Sequence, residues 1–400
     1  MLTIVALALF LSIISIPNLQ AQSQELAIGN TIDTVYSDST IVEEPISTKP
    51  EKNLRSSIMG GPSYTPEMSA GVGGAVLFTF KTNPKDSLIQ RSTVPIAFNF
   101  SLTGAMVFAS AQSLFFNQDK FRIQNKVIYK QMPDHYFGVG YESATEIGDV
   151  GDNTTLYDRF SWELNPVFIW QAVPNVFLGA GIDLNRTWVE NPNERMQEDK
   201  DFKKFGDDIF NSGFILQAQY DTRDVNANAY EGMLLSIRGN FFSKSLGSDF
   251  SYQQLELEYR QFKQLFNRRS VLAWMAKTEI GFGDVPYTEM SMIGSPNDLR
   301  GYRWGKFRDR SMAYGMVEYR HMFNRRKPNK EGSYESKSGF ATWVGAGTMG
   351  DTPKDWSHLL PNVGVGYRYE VQPRMNFRLD VGLEPGTGNV LFYMNMTEAF

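Results

Sequence analysis

Residues 363–371 read Val-Gly-Val-Gly-Tyr-Arg-Tyr-Glu-Val, and apolar side chains alternate along them with polar or small ones. Residues 375–384, Met-Asn-Phe-Arg-Leu-Asp-Val-Gly-Leu-Glu, repeat the pattern after a short connector that contains a proline. Successive side chains of a strand point to opposite faces of a sheet, so each stretch has one apolar and one polar face. The pair predicts a β-hairpin between an apolar medium and a polar one.

The same alternation recurs along residues 56–400 and predicts about sixteen strands. Short connectors at 172–175, 266–269 and 371–374 contrast with long ones at about 191–210, 284–310 and 350–358. Long strands with short turns at one end and long loops at the other are typical of a transmembrane antiparallel β-barrel. A soluble β-sandwich also alternates and is the alternative, but its strands are usually shorter. The expected strands are 56–64, 69–82, 94–109, 115–131, 135–146, 156–172, 175–190, 211–222, 230–244, 250–265, 270–283, 311–325, 338–349, 359–370, 374–384 and 388–400.

The composition excludes several classes of protein. The 400 residues include no cysteine, so disulfides, thiolate metal sites and a cysteine nucleophile are impossible. A net charge of -5 argues against a nucleic-acid partner. The aromatic fraction of 14% is high for a water-soluble protein and agrees with a membrane barrel.

The N-terminal region predicts export. Residues 2–16 form an apolar run that is too short to span a membrane, so residues 1–21 are expected to be a signal peptide, although no basic residue precedes the run. Residues 22–55 are polar and are expected to be a disordered periplasmic leader, followed by an outer-membrane barrel over residues 56–400. Export combined with alternating strands predicts a location in a bacterial outer membrane.

The longest connector contains the most unusual motif. Residues 294–305 read Gly-Ser-Pro-Asn-Asp-Leu-Arg-Gly-Tyr-Arg-Trp-Gly. A buried or half-buried arginine is tolerated only when it is paired with an acidic group, so Arg300 predicts a carboxylate partner.

Several motifs together resemble the Bam/Tam outer-membrane assembly-factor superfamily, also called the bacterial surface antigen family. The most specific is Leu299-Arg300-Gly301-Tyr302, which matches the family's loop-tip motif. Supporting motifs are Tyr64-Thr-Pro-Glu67, the glycine-rich residues 70–74, Tyr220-Asp-Thr-Arg-Asp224 and Tyr230-Glu-Gly232. The resemblance covers about residues 57–400.

The resemblance implies a loop that folds back into the barrel lumen, where its arginine pairs with acids of the following strands. Alternation places Glu318 on the inner face of the twelfth strand, which makes it the candidate partner of Arg300. The family's aromatic-x-Asp pattern falls on Trp343-Val-Gly345, where a glycine replaces the acid, so Asp351 or another carboxylate would have to substitute. The final segment implies a C-terminal signal that the barrel-assembly machinery reads during biogenesis, carried by Phe392, Met394, Met396 and Phe400.

The family also implies a function in inserting or exporting proteins at the outer membrane. Expected partners are outer-membrane lipids, the assembly machinery, and client proteins or accessory lipoproteins. The leader of residues 22–55 is too short for one of the family's periplasmic POTRA domains. The alternatives are a passive channel or anchor barrel that keeps only the fold, and a membrane enzyme or its secretion partner.

Enzymatic activity is not expected. None of His135, His321 and His358 lies in a sequence context that combines a nucleophile, a base and an orienting group. No His-x-His or Glu-x-x-His spacing occurs, so neither a metal site nor a cofactor is expected.

Overall fold

The computed structural model describes residues 53–65, 69–86, 89, 91–118, 120–146, 155–224, 228–265, 269–328, 335–372, 374–396 and 398–400. The predicted signal peptide and all but the last three residues of the predicted leader lie outside these ranges. Helices are short: α1 (Tyr141–Glu146), α2 (Glu194–Glu198) and α3 (Lys200–Phe205), with 3-10 turns at Lys244–Leu246 and Pro353–Asp355. No helix in the described part of the chain has the length and hydrophobicity that a membrane crossing requires.

Strands dominate the described residues. They are β1 (Arg55–Thr65), β2 (Ser69–Phe80), β3 (Ser92–Ser101), β4 (Met106–Phe116), β5 (Phe121–His135), β6 (Leu156–Val173), β7 (Val176–Glu190), β8 (Asp208–Asp221), β9 (Gly232–Phe242), β10 (Tyr252–Gln264), β11 (Ser270–Gly283), β12 (Ser291–Met292), β13 (Arg308–Asp309), β14 (Ser311–Asn324), β15 (Glu335–Gly350), β16 (Leu360–Gln372), β17 (Met375–Glu384) and β18 (Asn389–Met396).

Sixteen strands form one antiparallel sheet in which every neighbour in space is also the neighbour in sequence. The remaining two, β12 and β13, form a small separate sheet inside the long connector between β11 and β14. The sheet curves until its edge strands β1 and β18 approach within 8 Å between Cα atoms, but among the described residues no hydrogen-bonded ladder joins them. An all-β barrel of about sixteen strands is therefore confirmed, with a seam that hydrogen bonds leave open.

The barrel is apolar outside and polar inside. Val365 and Tyr367 on β16 are 54% and 43% exposed on the outer face, whereas Arg368 on the same strand is 1% exposed and points inward. Asp380, on the inner face of the neighbouring β17, is also 1% exposed. A lipid-facing outer wall around a polar interior is the distribution expected of a membrane barrel.

Three predicted strands near the N-terminal side are wrong in their bounds. The stretch 94–109 contains a turn at 102–105, where Gly104 adopts a φ of 84°. The stretch 115–131 contains another turn, at Asn117 and Gln118, whose φ values are 51° and 55°. The stretch 135–146 is a connector that ends in α1. The three errors leave the number of strands unchanged. Every later connector therefore still lies at the end of the barrel where it was predicted.

The final strand is also shorter than predicted. It ends at Met396 rather than continuing to residue 400. Glu398 and Phe400 are 1% and 4% exposed, and the carboxylate of Glu398 bonds Arg368 inside the barrel. Burial of this ion pair draws the segment Glu398–Phe400, here called the inner tail, away from the wall and into the lumen.

Candidate functional site

The connector between β11 and β14 enters the lumen as a long hairpin. Its base is the β12–β13 sheet, in which Ser291 pairs with Asp309 and Met292 with Arg308. Beyond this base, the loop buries apolar side chains in one cluster with the inner faces of β14 and β15; the loop members are Ile293, Leu299, Tyr302 and Phe307. Removal of this apolar surface from water holds the loop inside the barrel.

Arg300 lies at the loop tip with no exposed surface. Its Nη2 donates to Oε2 of Glu318 at 2.6 Å, and its Nη1 donates to Oδ2 of Asp380 at 2.5 Å. One guanidinium therefore joins two strands, β14 and β17, that are not neighbours in the sheet. The two contacts place Glu318 where alternation expected it and supply a second carboxylate that the motif did not reveal.

Further arginines surround the same two carboxylates. Arg320 bonds Glu318 at 2.8 Å, while Arg368 and Arg378 bond Asp380 at 2.6 Å and 2.9 Å. All these side chains are at most 5% exposed. Charges taken out of water are tolerated only when they are paired and hydrogen-bonded, so the carboxylates and arginines depend on one another.

Two strand residues shape the place where the tip rests. The guanidinium carbon of Arg300 lies 3.4 Å from the centre of the Trp343 ring, a cation–π contact. The indole Nε1 of Trp343 donates to Asn362 at 2.8 Å, and the amide of Asn362 donates to the carbonyl of Arg300. Trp343 therefore contacts the arginine and also orients the residue that holds the arginine's backbone.

Glycines let the tip approach the wall. Gly301 has a φ of 118°, and a Cβ on it would lie 2.7 Å from the carbonyl carbon of Leu383. A Cβ on Gly382 would lie 2.3 Å from the carbonyl oxygen of Arg300. Gly345 occupies the position of the family's acid, and a Cβ there would lie only 2.6 Å from Cγ of Met316 on β14. At this position the chain uses space for an apolar side chain instead of a second carboxylate.

The other residues singled out in the sequence lie elsewhere. Asp351, considered as a substitute acid, pairs with Arg310 rather than with Arg300. The hydroxyl of Tyr302 donates to the carbonyl of Pro361 at 2.7 Å. Phe392 is 57% exposed on the outer wall, whereas Phe400 belongs to the buried cluster inside the barrel. Met394 is partly buried on β18, and the side chain of Met396 lies outside the described positions.

Asp380 is the residue that the sequence reasoning missed. Alternation along residues 375–384 places it on the inner face beside Arg378, so its orientation was readable. Its contact with Arg300 could not be predicted from the sequence. The two residues are 80 positions apart, and the path of the loop decides which inner carboxylate Arg300 meets.

The loop fills only part of the lumen. Strands β5–β11 enclose a polar cavity of ≈ 530 Å³, which Glu289 of the loop also lines. Both amide atoms of the buried Asn165 in this wall have no protein partner. Buried polar groups without protein partners usually bind water, so we interpret this half of the lumen as a hydrated chamber. Residues of both charge signs line it, including Lys126, Glu163, Asp183, Arg238, Glu256 and Lys277.

Two buried apolar layers border the chamber along the strands. On the side of the long loops lies an aromatic cluster that includes Tyr136, Tyr157, Phe205 and Tyr287. On the side of the short turns lie Val167, Ile169, Phe177 and Ile215. Apolar constrictions oppose the passage of water and ions, so these two layers would hinder conduction through the chamber.

Burial changes the acidity of two carboxyl groups of the loop. It raises the pKa of Asp298 to about 6, although the backbone N–H of Gly294 donates to this carboxylate at 2.9 Å and favours ionisation. It also raises the pKa of Glu289 to about 7, and the negative charge of Asp183 adds to the effect. Both groups are therefore easier to protonate than ordinary carboxyls.

The motifs of residues 220–224 and 230–232 lie in and beside the connector between β8 and β9. Arg223 forms a two-pronged bond with Asp221 at 2.9 and 2.8 Å. Asp224 pairs with Arg374 of the β16–β17 turn, and Arg374 also lies 3.6 Å from the ring centre of Tyr230. This connector therefore reaches across the turn end of the barrel to the opposite wall.

The three histidines lie at separate places in the barrel. His135 lies beside Thr155, and His358 stacks on Tyr141 with ring centres 3.8 Å apart. Nδ1 of His321 is 2.7 Å from the hydroxyl of Ser270, but Ser270 is only 4% exposed. Across the described residues, no group of three His, Asp or Glu side chains could hold a metal ion.

Comparison with known proteins gives a family and a fold. Residues 91–393 match the Omp85 superfamily domain, and this range is most of the chain. The chain is similar to BamA from Haemophilus ducreyi lacking POTRA domains 1–3, with a TM-score of 0.56 and 14% sequence identity. That match covers 86% of this chain and 69% of the BamA chain. No curated protein sequence matches.

Two structures of CdiB are also similar. The protein from Escherichia coli has a TM-score of 0.56 at 9% identity, and the match covers 88% of this chain and 63% of that one. The protein from Acinetobacter baumannii has a TM-score of 0.52 at 11% identity, with 87% and 60% covered. This chain therefore spans less than two thirds of either CdiB chain, and at such identities the likeness concerns the fold.

Proposed function

The chain belongs to the Omp85 superfamily, and we propose that it assists the insertion or export of other proteins at a bacterial outer membrane. The proposal rests on the seam, the place where the two edge strands of the barrel meet. Edge strands β1 and β18 lie side by side without a ladder between them in the described residues. An unpaired edge is a template on which another chain can add a strand, so the seam is where a client segment would bind.

The seated loop supports this proposal. A barrel that works on clients needs a stable wall around a seam that can open. The Arg300 contacts tie β14 to β17 close to the seam and brace that wall from inside. The partners would be client proteins, with or without accessory lipoproteins, and the surrounding lipids.

The direct test is controlled depletion of the protein, followed by quantitative proteomics of the purified outer membrane. Broad loss of other barrels, restored by the wild-type gene and not by an Arg300→Ala variant, is the expected result. Loss of this protein alone, with every other barrel at its normal level, would exclude general assembly. A change confined to one or two secreted proteins would indicate a dedicated export function.

A passive channel or anchor is the second candidate, and the hydrated chamber is the observation that favours it. The apolar layers that border the chamber argue for a closed barrel instead. Enzymatic activity is not part of the proposal. The hydroxyl of Ser270 is buried, and a serine nucleophile must reach its substrate.

A further inference from the structure

Strand β18 is weakly held by the sheet itself. In the described residues its ladder joins only β17, over the eight pairs from Phe377↔Met396 to Glu384↔Asn389. Its other edge faces β1 without a ladder. Contacts on the inner face must therefore contribute to its position.

Tyr393 makes the first of these contacts. Its side chain points inward from β18 and is 1% exposed. Its hydroxyl accepts a hydrogen bond from the backbone N–H of Gly301 at 3.0 Å and donates one to the carbonyl of Tyr302 at 3.1 Å. A single hydroxyl thus satisfies two backbone groups of the loop tip that would otherwise be buried without partners.

Glu398 of the inner tail makes the second contact. Its carboxylate accepts from Nε of Arg368 at 2.8 Å and from the amide of Asn376 at 2.7 Å. Arg320 adds a bond to the carbonyl of Phe400 at 2.8 Å. The inner tail is therefore fixed by two arginines as soon as the chain leaves β18.

These two arginines are the ones that share carboxylates with the loop tip. Arg368 bonds Asp380, and Arg320 bonds Glu318. Asp380 and Glu318 are in turn the partners of Arg300. Loss of Arg300 would remove one charged hydrogen bond from each carboxylate. Arg368 and Arg320 would then shift toward the vacated oxygen atoms, and Glu398 would lose its fixed partners.

We propose that the loop tip and β18 form one latch, in which Tyr393 and Glu398 are the positioning residues. While the tip is seated, the edge strand is held and the seam keeps its width. When the tip leaves, the edge strand is released with it. The coupling is reciprocal, so a disturbed edge strand also loosens the tip. Its use in handling clients rests on the proposed function, but the latch itself is a property of the isolated barrel.

The first experiment measures the seam and the tip in the purified protein. The chain has no cysteine, so an Ile58→Cys, Phe392→Cys pair carries spin labels only on β1 and β18. Both positions are on the exposed outer wall, at 72% and 57% exposure. In this background Tyr393→Phe removes only the hydroxyl. We expect a broader distribution of label distances and amide exchange about five to a hundred times faster at residues 299–302, the effect of losing both hydrogen bonds of the hydroxyl.

The matched control is Tyr369→Phe. Tyr369 lies on β16 with its ring 43% exposed on the outer wall, so the same chemical change there should leave both readouts unaltered. Glu398→Gln tests the second contact, since it keeps the shape of the side chain and removes its charge. It should shift both readouts in the same direction as Tyr393→Phe.

A double variant tests whether the parts act as one unit. Arg300→Ala combined with Tyr393→Phe should change amide exchange by less than the product of the two single effects, because both break the same assembly. The latch is wrong if Tyr393→Phe and Glu398→Gln, both folded by circular dichroism, leave the label distances unchanged. It is also wrong if the effects on exchange multiply as independent ones.

The latch and the proposed function can fail separately. If the variants widen the seam while depletion of the protein leaves every other barrel in place, the latch stands and the assembly function falls. If depletion removes client barrels while the variants leave the seam unaltered, the assembly function stands and the latch falls.

Discussion

Arg300 contacts two strands and an aromatic ring at once, so a single side chain fixes the loop tip to the barrel wall. Its planar guanidinium offers separate N–H groups to Glu318 and Asp380 while its face lies on Trp343. A lysine is a single point charge and cannot make this set of contacts at once. Because the carboxylates are fully buried, removal of the arginine takes one charged hydrogen bond from each of them, and water cannot replace it.

We therefore expect Arg300→Ala to lower the free energy of unfolding by about 3–5 kcal/mol, the usual cost of removing one partner of a buried ion pair. Arg300→Lys should recover only part of this loss. The measurement is urea unfolding of the purified barrel in detergent micelles.

The matched control is Arg186→Ala. Arg186 also forms a two-pronged pair with an acid, Asp208, but both side chains are close to half exposed. Exposed pairs contribute little to stability, so the unfolding midpoint should stay near that of the wild type. Equal destabilisation by the two substitutions would contradict the importance assigned to burial at Arg300.

Asp298 gives the loop a dependence on pH. Its pKa of about 6 in the folded state is above the ordinary value of an aspartate, so the folded state favours the neutral form. The resulting stability is fully present below the ordinary pKa and is lost as the pH rises through about 6. The protection of the amides of residues 294–302, measured relative to the intrinsic exchange rate at each pH, should be higher at pH 5 than at pH 8.

Asp298→Asn isolates this contribution. The asparagine oxygen can still accept from Gly294, but it does not titrate. The part of the pH dependence that belongs to Asp298 should disappear, while the Glu289 contribution, centred near pH 7, remains. An unchanged pH profile in the variant would rule out Asp298 as the titrating group.

The sequence predicted only some of the contacts of the loop tip. Alternation is a local property, so it placed Glu318 on the inner face of β14, while the family pattern pointed to Trp343 on β15. The hydroxyl of Tyr393 and the carboxylate of Glu398 were missed, because the terminal segment was read as one outer-wall strand. No local pattern distinguishes a strand that continues from one whose last residues turn inward to pair with distant arginines.

At the level of elements, the loop is seated by backbone contact with β17. The carbonyl of Arg300 rests against Gly382, where the wall has no side chain. We expect Gly382→Ala to lift the tip, because the added Cβ would lie 2.3 Å from that carbonyl oxygen, and backbone atoms cannot rotate away. Overpacking of this kind typically costs about 1–3 kcal/mol, and limited proteolysis of the loop reports the displacement.

Gly386→Ala is the control for this substitution. Gly386 lies two residues beyond the end of the same strand, and a Cβ there would have nothing within 4 Å. It should leave the proteolysis pattern unaltered. Similar cleavage of the two variants would mean that the tip is not pressed against β17.

Element boundaries were predictable where prolines and charged residues interrupt the alternation and not elsewhere. The bounds of β16 and β17 agree with prediction within two residues. Those of β3, β4 and β5 do not, since the turn at 102–105 sits between residues whose alternation runs on without a break. Tight turns made by Gly104 and by Asn117 depend on positive φ values, and a single glycine or asparagine is a weak signal of them.

For the whole molecule, the lumen has two unlike halves. The loop and the inner tail fill one side with apolar and ion-paired residues, and the other side is a polar chamber between apolar layers. A wild-type barrel in a planar lipid bilayer should therefore show no steady ionic conductance. Replacing residues 294–305 by a short Gly-Ser linker should produce one.

The Arg186→Ala barrel is the appropriate control for this recording, because its substitution lies outside the lumen packing. Steady conductance through the wild-type protein would contradict a closed lumen and favour the passive channel. Silence in both the wild-type and the linker variant would mean that other elements also block the barrel.

The filled half-lumen also matters for the cell that carries the protein. An empty cylinder of sixteen strands in an outer membrane would leave an aqueous channel through its lumen. With the loop seated, many copies can reside in the membrane without weakening its permeability barrier. A substitution at Arg300 that unseats the loop should therefore make a membrane that holds the barrel more permeable to polar solutes.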